Sequence, residues 1–207
     1  MTFEDLDYSF TVQLMQTTIY EVVAVLFGIA SVILANRNHV LLYPTGIIST
    51  GLYLFIMTDA GLYAETLLNG YYLIMSIYGW ARWVKNKENN RASAISYCDT
   101  NDWVFTFAIV ILGFAILCVT LSNYTDSTVP LADALVAAFA WAGMWLLARH
   151  KIENWILLNI SNFIAIPLLI YKGLPLTAML TVILFIVALF GYLRWRKLYY
   201  RQYAEAQ

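Results

Sequence analysis

Long apolar stretches alternate with short polar connections along almost the whole chain of 207 residues. An α-helix needs roughly 20 residues to cross the hydrocarbon layer of a membrane. Because backbone groups in lipid must find hydrogen-bond partners within their own segment, stretches this apolar are predicted to be helices. The pattern predicts seven membrane spans, at residues 17–36, 40–58, 61–82, 103–122, 131–148, 152–171 and 174–195.

The composition agrees with a membrane protein. Hydrophobic residues make up 61% of the chain and charged residues 12%, about half of the ~25% that is typical of soluble domains. A soluble fold of this size could not bury so much apolar surface, which argues against a soluble enzyme. The net charge of −1 argues against nucleic acid as a partner. The two cysteines, Cys98 and Cys118, belong to no metal-binding motif, so we expect neither a metal nor a cofactor.

The basic residues predict the orientation of the spans. If the N-terminus lies outside, 11 of the 12 Lys and Arg residues fall on the inside, and only Lys172 falls outside. Membrane proteins keep such an excess of basic residues on the cytoplasmic side. The sequence therefore predicts an all-α integral membrane protein with seven transmembrane helices, N-out and C-in.

A single shift in numbering, the one that takes Glu21 to Asp133, aligns the first three spans with the last three; we call it the repeat offset. The other informative matches are Arg37 with Arg149, Tyr43 with Trp155, Ser49 with Ser161, Gly61 with Gly173, Gly79 with Gly191, Arg82 with Arg194 and Trp83 with Trp195. We predict a single transmembrane transporter domain over residues 1–207, with parallel repeats at about 17–84 and 131–196 and a linker helix at about 103–122. Transporters place their substrate between such repeats. The alternative is a duplicated structural bundle without a path.

Polar residues within two spans predict a binding site. The third span carries four of them on one helical face, at spacings of four, three and four residues: Glu65, Asn69, Tyr72 and Ser76. The sixth span carries Trp155, Asn159 and Asn162 at similar spacing. Ionisable and amide groups are costly in lipid and mark ligand or ion pathways. The repeat offset places Thr177, Thr181, Leu184 and Ala188 opposite the third-span residues, so we expect an asymmetric substrate.

Acidic residues near the outer ends of three spans predict a negative outer vestibule. They are Glu21, Glu65 and Asp133, and no basic partner is evident for them within the spans. Such a mouth favours cations. Alternatively, Glu21 and Asp133 complement the dipoles at the starts of their helices.

Two further groups of residues leave alternatives open. Trp141 and Trp145 lie four residues apart on one helical face, where they either pack in the core or stack against a flat, cationic ligand. Thr45, Ser49 and Thr50 form a small polar stripe in the second span. Their hydroxyls either bond to the helix backbone and to neighbouring helices or contact the ligand.

Four short motifs stand in an order that is known from one family. They are Leu62-Tyr63-Ala64-Glu65, Tyr78-Gly79-Trp80 with Trp83, Glu153-Asn154-Trp155, and Tyr171-Lys172-Gly173-Leu174. In this order they resemble the PnuC family of bacterial vitamin transporters, over a region from Glu21 to Trp195. The resemblance implies a seven-helix fold with the repeat plan of the SWEET sugar transporters. It also implies a homotrimer among the lipids of the bacterial inner membrane.

The resemblance implies facilitated diffusion of an unphosphorylated vitamin, which an intracellular kinase then traps. The chain has no GxxxxGK[ST] loop with which to hydrolyse ATP, in agreement with this mode of transport. Nicotinamide riboside is the expected substrate. Thiamine is the alternative, because it too carries a flat cationic ring. The family's sixth span has two tryptophans three residues apart and then a polar residue; here Trp155 and Asn162 match, while Leu158 replaces the second tryptophan. A selective channel and a membrane protein without transport remain as other classes.

Overall fold

The computed structural model describes residues 18–59, 63–88, 95–125 and 128–204 of the chain. These residues form seven α-helices. They are α1 (Ile19–Asn36), α2 (Leu42–Asp59), α3 (Tyr63–Glu88), α4 (Thr100–Tyr124), α5 (Pro130–Ala148), α6 (Asn154–Tyr171) and α7 (Pro175–Ala204).

Local sequence signals explain where several helices begin. The side chain of Thr18 accepts a hydrogen bond from the backbone N–H of Glu21 at 3.2 Å and so caps α1. A capping box starts α4: the Asp99 carboxylate accepts from the N–H of Asp102 at 2.7 Å, and the Asp102 carboxylate accepts from the N–H of Asp99 at 3.2 Å. Pro130 occupies the first turn of α5, where the lack of a backbone N–H costs nothing.

Each predicted span corresponds to one helix, but three of the helices extend well beyond their spans. The helix α3 continues to Glu88, α4 already begins at Thr100, and α7 continues to Ala204. Hydropathy marks the part of a helix that crosses lipid, whereas backbone hydrogen bonding extends into the polar interface. The 30 residues of α7 span about 45 Å, which is more than the ~30 Å of hydrocarbon. The predicted first residue of the first span, and Gly61 and Leu62, lie outside the described residues.

The helices have the length and surface of membrane spans. Five of the described helical segments are long and apolar enough to cross a membrane, namely α1, α4, α5, α6 and residues Thr177–Gln202 of α7. Large apolar side chains also cover the outer surface of α4, where Phe107, Ile111 and Val119 are all more than half exposed. Lipid is the solvent that accepts such a surface. The chain is therefore a multi-pass helical membrane protein.

Six of the seven helices surround a common centre. Within the part of the chain that the structure describes, α1 packs on α2 and α2 on α3, which we call the first unit (α1–α3). Likewise α5 packs on α6 and α6 on α7, which we call the second unit (α5–α7). The two units meet where α1 contacts α7 and α3 contacts α5, while α4 packs against α5.

The two units contain the same internal contacts at positions related by the repeat offset. The Ser49 hydroxyl donates to the carbonyl of Ala24 at 2.8 Å, and the Ser161 hydroxyl donates to the carbonyl of Val136 at 2.8 Å. Each bond ties the second helix of a unit to its first helix. The turns that precede these second helices also agree, because Asn38 and His150 both adopt left-handed backbone conformations, with φ of 51° and 58°.

The two ends of the bundle differ in charge. We call the end that holds Glu21, Asp133 and Lys172 the acidic end, and the end that holds Asp102 and Arg149 the basic end. At the basic end Asp102 is completely buried; Arg149 Nη2 lies 3.0 Å from its Oδ1 and Lys151 Nζ lies 2.7 Å from its Oδ2. These ion pairs join the first turn of α4 to the turn between α5 and α6.

The segment before α4 strengthens this connection, although hydropathy alone suggests only a polar loop at residues 85–102. Ser96 donates its N–H to the carbonyl of His150 at 3.1 Å and accepts from the N–H of Ile152 at 3.0 Å. Both carboxylate oxygens of Glu153 accept from the N–H of Cys98 at 3.0 Å. Burial, with smaller effects from Glu153, raises the pKa of the Cys98 thiol well above its usual range. We call residues 95–102 together with the turn 149–153 the clamp.

Candidate functional site

A cavity of about 340 Å³ lies at the centre of the six helices of the two units. It is within the range of small-molecule sites, which are typically concave and mostly apolar. No Lys, Arg, His, Asp or Glu is found among the described residues that line it. Its polar side chains are Tyr43, Tyr72, Trp155 and Asn162, together with the hydroxyls of Ser31, Ser49, Thr50, Ser76, Ser161 and Thr181.

Most of these hydroxyls already donate to backbone carbonyls. Besides Ser49 and Ser161, the bonds run from Ser31 to Leu42, from Thr50 to Gly46 and from Thr181 to Thr177, all at 2.8 Å. Thr45, which does not line the cavity, likewise donates to the carbonyl of Leu41 at 2.7 Å. The hydroxyls of the second span thus form the backbone bonds that were one of the two sequence-based alternatives.

Several polar side-chain atoms of the wall remain available for a ligand. The side chains of Ser76 and Asn162 make no hydrogen bond to a described residue, and the Tyr43 hydroxyl and Trp155 Nε1 are buried without one. An amide offers two donors and an acceptor, so Asn162 can bond to a carboxamide or a ribose hydroxyl. Polar groups of this kind are what orient a ligand in an otherwise apolar pocket.

The structure brings four of the seven predicted contact residues to the cavity. They are Tyr72 and Ser76 from α3, and Trp155 and Asn162 from α6. Asn69 and Asn159 are absent from its lining, and the Oδ1 atom of Asn159 is buried without a hydrogen bond to a described residue. The backbone of Glu65 lies in the first turn of α3, while its side chain falls outside the described part.

Two aromatic side chains, Trp155 and Tyr43, line the cavity on the side of the basic end. The Trp155 indole lies so close to Gly191 that a Cβ atom added there would come within 2.7 Å of it, and the Tyr43 ring lies closer still to Gly79. The two pairs are related by the repeat offset, and both rings join the hydrophobic core of the basic end. Sequence reasoning did not place Tyr43 in the site, although its match with Trp155 was a signal that could have done so.

Trp141 and Trp145 lie elsewhere. The Trp141 ring stacks on Tyr71, with centroids 4.7 Å apart, and the Tyr71 hydroxyl donates to the Trp141 carbonyl at 3.0 Å. The Trp145 ring stacks on Tyr78 and has the Arg149 guanidinium 5.2 Å from its centroid. Neither tryptophan lines the cavity. Of the two sequence-based alternatives, packing between helices describes both side chains.

The acidic end corrects one expectation about its carboxylates. Asp133 has a basic partner, because Lys172 Nζ lies 2.6 Å from both of its carboxylate oxygens. Sequence spacing did not show this pair, since the two residues are 39 positions apart and belong to different helix ends. Glu21 and Asp133 both lie in the first turns of their helices, where a carboxylate also complements the helix dipole.

At the basic end, His150 is almost completely buried and its ring stacks on that of Trp195, with centroids 6.0 Å apart. Burial, and to a lesser extent the positive charge of Arg82, lowers the pKa of His150 to about 4. This histidine is therefore neutral at physiological pH. No three His, Cys, Asp or Glu side chains in the described ranges come together as metal ligands would.

Comparisons with known proteins place these features in a wider context. The model of a family described as nicotinamide mononucleotide transporter matches residues 18–197. The nicotinamide riboside transporter PnuC of Escherichia coli (strain K12) is 25% identical over 200 residues, which cover 84% of either chain. The protein of the same name from Neisseria mucosa is 25% identical over 192 residues, which cover 85% of this chain and 71% of the relative.

A solved structure shares the fold. The crystal structure of the vitamin B3 transporter PnuC superposes with a TM-score of 0.70 at 23% sequence identity. The match covers 96% of this chain and 89% of the other.

Proposed function

The chain belongs to the nicotinamide mononucleotide transporter family, and from this membership we propose that it carries nicotinamide riboside across the bacterial inner membrane. The central cavity is the observation that carries the proposal. It joins aromatic and amide side chains from α3 and α6 and has no charged side chain among its described lining residues. The two relatives from Escherichia coli and Neisseria mucosa are both named as transporters of this riboside.

The charge of the cavity favours the riboside over the mononucleotide. A phosphate group brings up to two negative charges into the site, and burying them without Lys, Arg or a comparable partner costs several kcal/mol. None of the described lining residues supplies such a partner. A pyridinium ring, in contrast, gains from the faces of Tyr72 and Trp155.

Four side chains form the proposed contact set, namely Tyr72, Ser76, Trp155 and Asn162. Asn162 bonds to the carboxamide or the ribose, and Trp155 and Tyr72 face the ring. Removing the amide in Asn162→Ala lowers the affinity by about tenfold, the equivalent of one hydrogen bond of roughly 1.4 kcal/mol. Asn159→Ala is the matched control, because this amide lies on the same helix outside the cavity lining; we expect a change of less than about threefold.

Calorimetry on the purified protein tests the substrate. Nicotinamide riboside is expected to bind with micromolar affinity, and the mononucleotide to bind at least about a hundredfold more weakly because its phosphate is unpaired. Binding of thiamine or riboflavin instead of the riboside would identify another vitamin as the substrate. No heat with any of the four compounds would contradict a vitamin carrier.

We further infer that the chain is arranged as three plus one plus three helices, with α4 as the linker between two parallel units. The equal hydrogen bonds of Ser49 and Ser161 and the equal turns at Asn38 and His150 support this arrangement. The excess of Lys and Arg at the basic end supports an N-out, C-in orientation. Thiol labelling from either side of right-side-out vesicles, with single cysteines at positions 38 and 172, tests the orientation. Only position 172 should react with an impermeant reagent from outside.

Transport by facilitated diffusion, followed by phosphorylation inside, is the mode that we propose. The sequence has no GxxxxGK[ST] loop for ATP hydrolysis, which supports a passive carrier. In proteoliposomes, uptake should saturate with substrate and stop when both sides are equal. Enclosing ATP and a riboside kinase should make the label accumulate. Uptake that never saturates would indicate a channel instead.

The trimeric assembly stays a prediction from the resemblance.

A further inference from the structure

Two carboxylates at matched positions of the acidic end differ in whether a lysine lies beside them. Asp133 is paired with Lys172 at 2.6 Å. Glu21 is the counterpart of Asp133 under the repeat offset, but the counterpart of Lys172 is Ala60. The sequence contains no Lys, Arg or His in residues 1–36 or 40–81, so the first unit brings no basic side chain to this end. The Glu21 side chain is partly exposed.

Both carboxylates lie on the sides of their helices that face the cavity. On α1 the cavity is lined by Gly28, Ser31, Val32 and Ala35, and Glu21 precedes Gly28 by two helical turns on the same side. That separation is about 10 Å along the axis. On α5, Asp133 precedes the lining residue Ala137 by about one turn. A solute that enters the cavity from the acidic end therefore passes both positions.

We propose that Glu21 draws the cationic ligand into the cavity, and that Lys172 cancels the same effect of Asp133. This inference rests on the proposed function, since it requires a positively charged ligand. Among the described residues, the attraction therefore acts from the side of the entrance that holds Glu21. The Asp133–Lys172 pair sets its strength, because losing either partner changes the net charge of the entrance by one unit in opposite directions.

At an effective dielectric constant of about 50, between bulk water and a protein surface, one unit of charge at about 10 Å changes the association rate of a monovalent cation by about threefold at low salt, and by less when the charge is screened. Glu21→Gln should therefore slow the association of nicotinamide riboside by about threefold. Lys172→Gln removes the positive charge beside Asp133 and should speed it by about threefold, whereas Asp133→Asn removes the negative charge beside Lys172 and should slow it by a similar factor.

The opposite changes in association rate expected for these two variants distinguish electrostatic attraction of the ligand from a purely structural role of the ion pair. Both Lys172→Gln and Asp133→Asn break the same ion pair, so a purely structural pair predicts the same direction of change for both. Stopped-flow quenching of tryptophan fluorescence at low and high salt measures the association rates. Uncharged nicotinamide serves as the control ligand, and its association should not change. Changes in the same direction in both variants, or association rates that do not depend on salt concentration, would overturn the proposal.

A second measurement needs no substrate. Val25→Cys, one turn inward from Glu21 in a background with Cys98→Ser and Cys118→Ala, reports the local potential through its reaction rates with cationic and anionic methanethiosulfonate reagents. Glu21→Gln should lower the ratio of cationic to anionic rates by about tenfold, because the two rates shift in opposite directions. An unchanged ratio overturns the inference even if the riboside binds. A lowered ratio in a protein that binds no riboside supports the negative entrance while contradicting the proposed substrate.

Discussion

The turn between α1 and α2 and the turn between α5 and α6 follow the same backbone path but have different anchors. Both contain one left-handed residue, Asn38 or His150. The hydrogen bonds of residues 37–41 within the described ranges stay local, while the end of α1 beside this turn bonds to α7: Trp195 Nε1 donates to the carbonyl of Ala35 at 2.9 Å and Asn36 Nδ2 donates to the carbonyl of Val187 at 3.0 Å. The second turn is bonded to Ser96 and Cys98 and holds the two cations that face Asp102.

This difference shows which parts of the two units are tied to the rest of the molecule. Bonds inside a unit are repeated, as Ser49 and Ser161 demonstrate, because each unit must hold its own helices together. Bonds that leave a unit are not repeated. The clamp joins the second unit to α4 through two ion pairs to a buried carboxylate, whereas the region of the first turn is attached to α7 by hydrogen bonds and by no ion pair among the described residues.

The largest effect should come from breaking the clamp. Asp102→Asn leaves Arg149 and Lys151 without the buried carboxylate that both contact. Removing one partner of a buried ion pair costs about 3 kcal/mol or more. Arg37→Gln is the matched control in the first unit, and we expect less than about 0.5 kcal/mol for this exposed residue. Thermal unfolding in detergent measures both, and equal losses would show that the two turns are anchored alike.

Substitutions of the two glycines that contact Tyr43 and Trp155 should show that the two units share their packing. Gly191→Ala forces the new methyl group within 2.7 Å of the Trp155 ring, and Gly79→Ala forces one against Tyr43. Overpacking of this kind costs about 1–3 kcal/mol. Replacing the ring, in Gly79→Ala/Tyr43→Leu and Gly191→Ala/Trp155→Leu, should remove most of the additional cost. Strictly additive losses in a double-mutant cycle would contradict a direct contact.

The matched serines give a finer test of the same similarity. Ser49→Ala and Ser161→Ala each remove one buried hydrogen bond between helices at 2.8 Å. We expect each to lower the free energy of unfolding by about 1 kcal/mol. The two values should agree within about 0.5 kcal/mol, and a larger difference would mean that the equal geometry hides unequal surroundings.

The smallest predicted effect is a dependence of stability on pH, and it arises in the second unit alone, at His150. The unfolded chain protonates His150 near its ordinary pKa of 6.5, whereas the folded protein resists protonation down to about 4. The unfolded state therefore binds more protons in this interval, so stability falls as pH drops from 6.5 towards 4. Between pH 7.5 and 6 the loss should stay below about 1 kcal/mol. His150→Asn, which introduces the residue found at the matched position of the first turn, should remove this contribution. If the melting temperature of the variant depended on pH in the same way as that of the original protein, the prediction would be contradicted.

Much of the fold follows from periodic features of the sequence. Apolar stretches locate the seven helices, and the repeat offset aligns Tyr43 with Trp155 and Gly79 with Gly191, which pack in the same way. Spacing along α3 and α6 also indicates the cavity residues Tyr72, Ser76 and Asn162. These features could be predicted because helical periodicity determines which residues share a face.

Contacts between distant segments could not be predicted in this way. Glu153 meets Cys98 across 55 residues, and Lys172 meets Asp133 across 39. No periodicity relates such positions, because their approach depends on how whole helices pack. The same reason explains why Asn159, which lies on the polar stripe of α6, is absent from the cavity lining. For Trp141 it decided between the two alternatives in favour of packing, against Tyr71 of α3.

The hydroxyl groups of the cavity wall have one more consequence. Five of them already donate to carbonyl oxygens at 2.8 Å, so they offer a passing molecule no free proton to hold. Their oxygen atoms can still accept, because a hydroxyl that donates its proton keeps its lone pairs. This part of the wall therefore presents acceptors to a bound molecule, and matches donor groups such as the hydroxyls of a sugar or the N–H groups of a carboxamide.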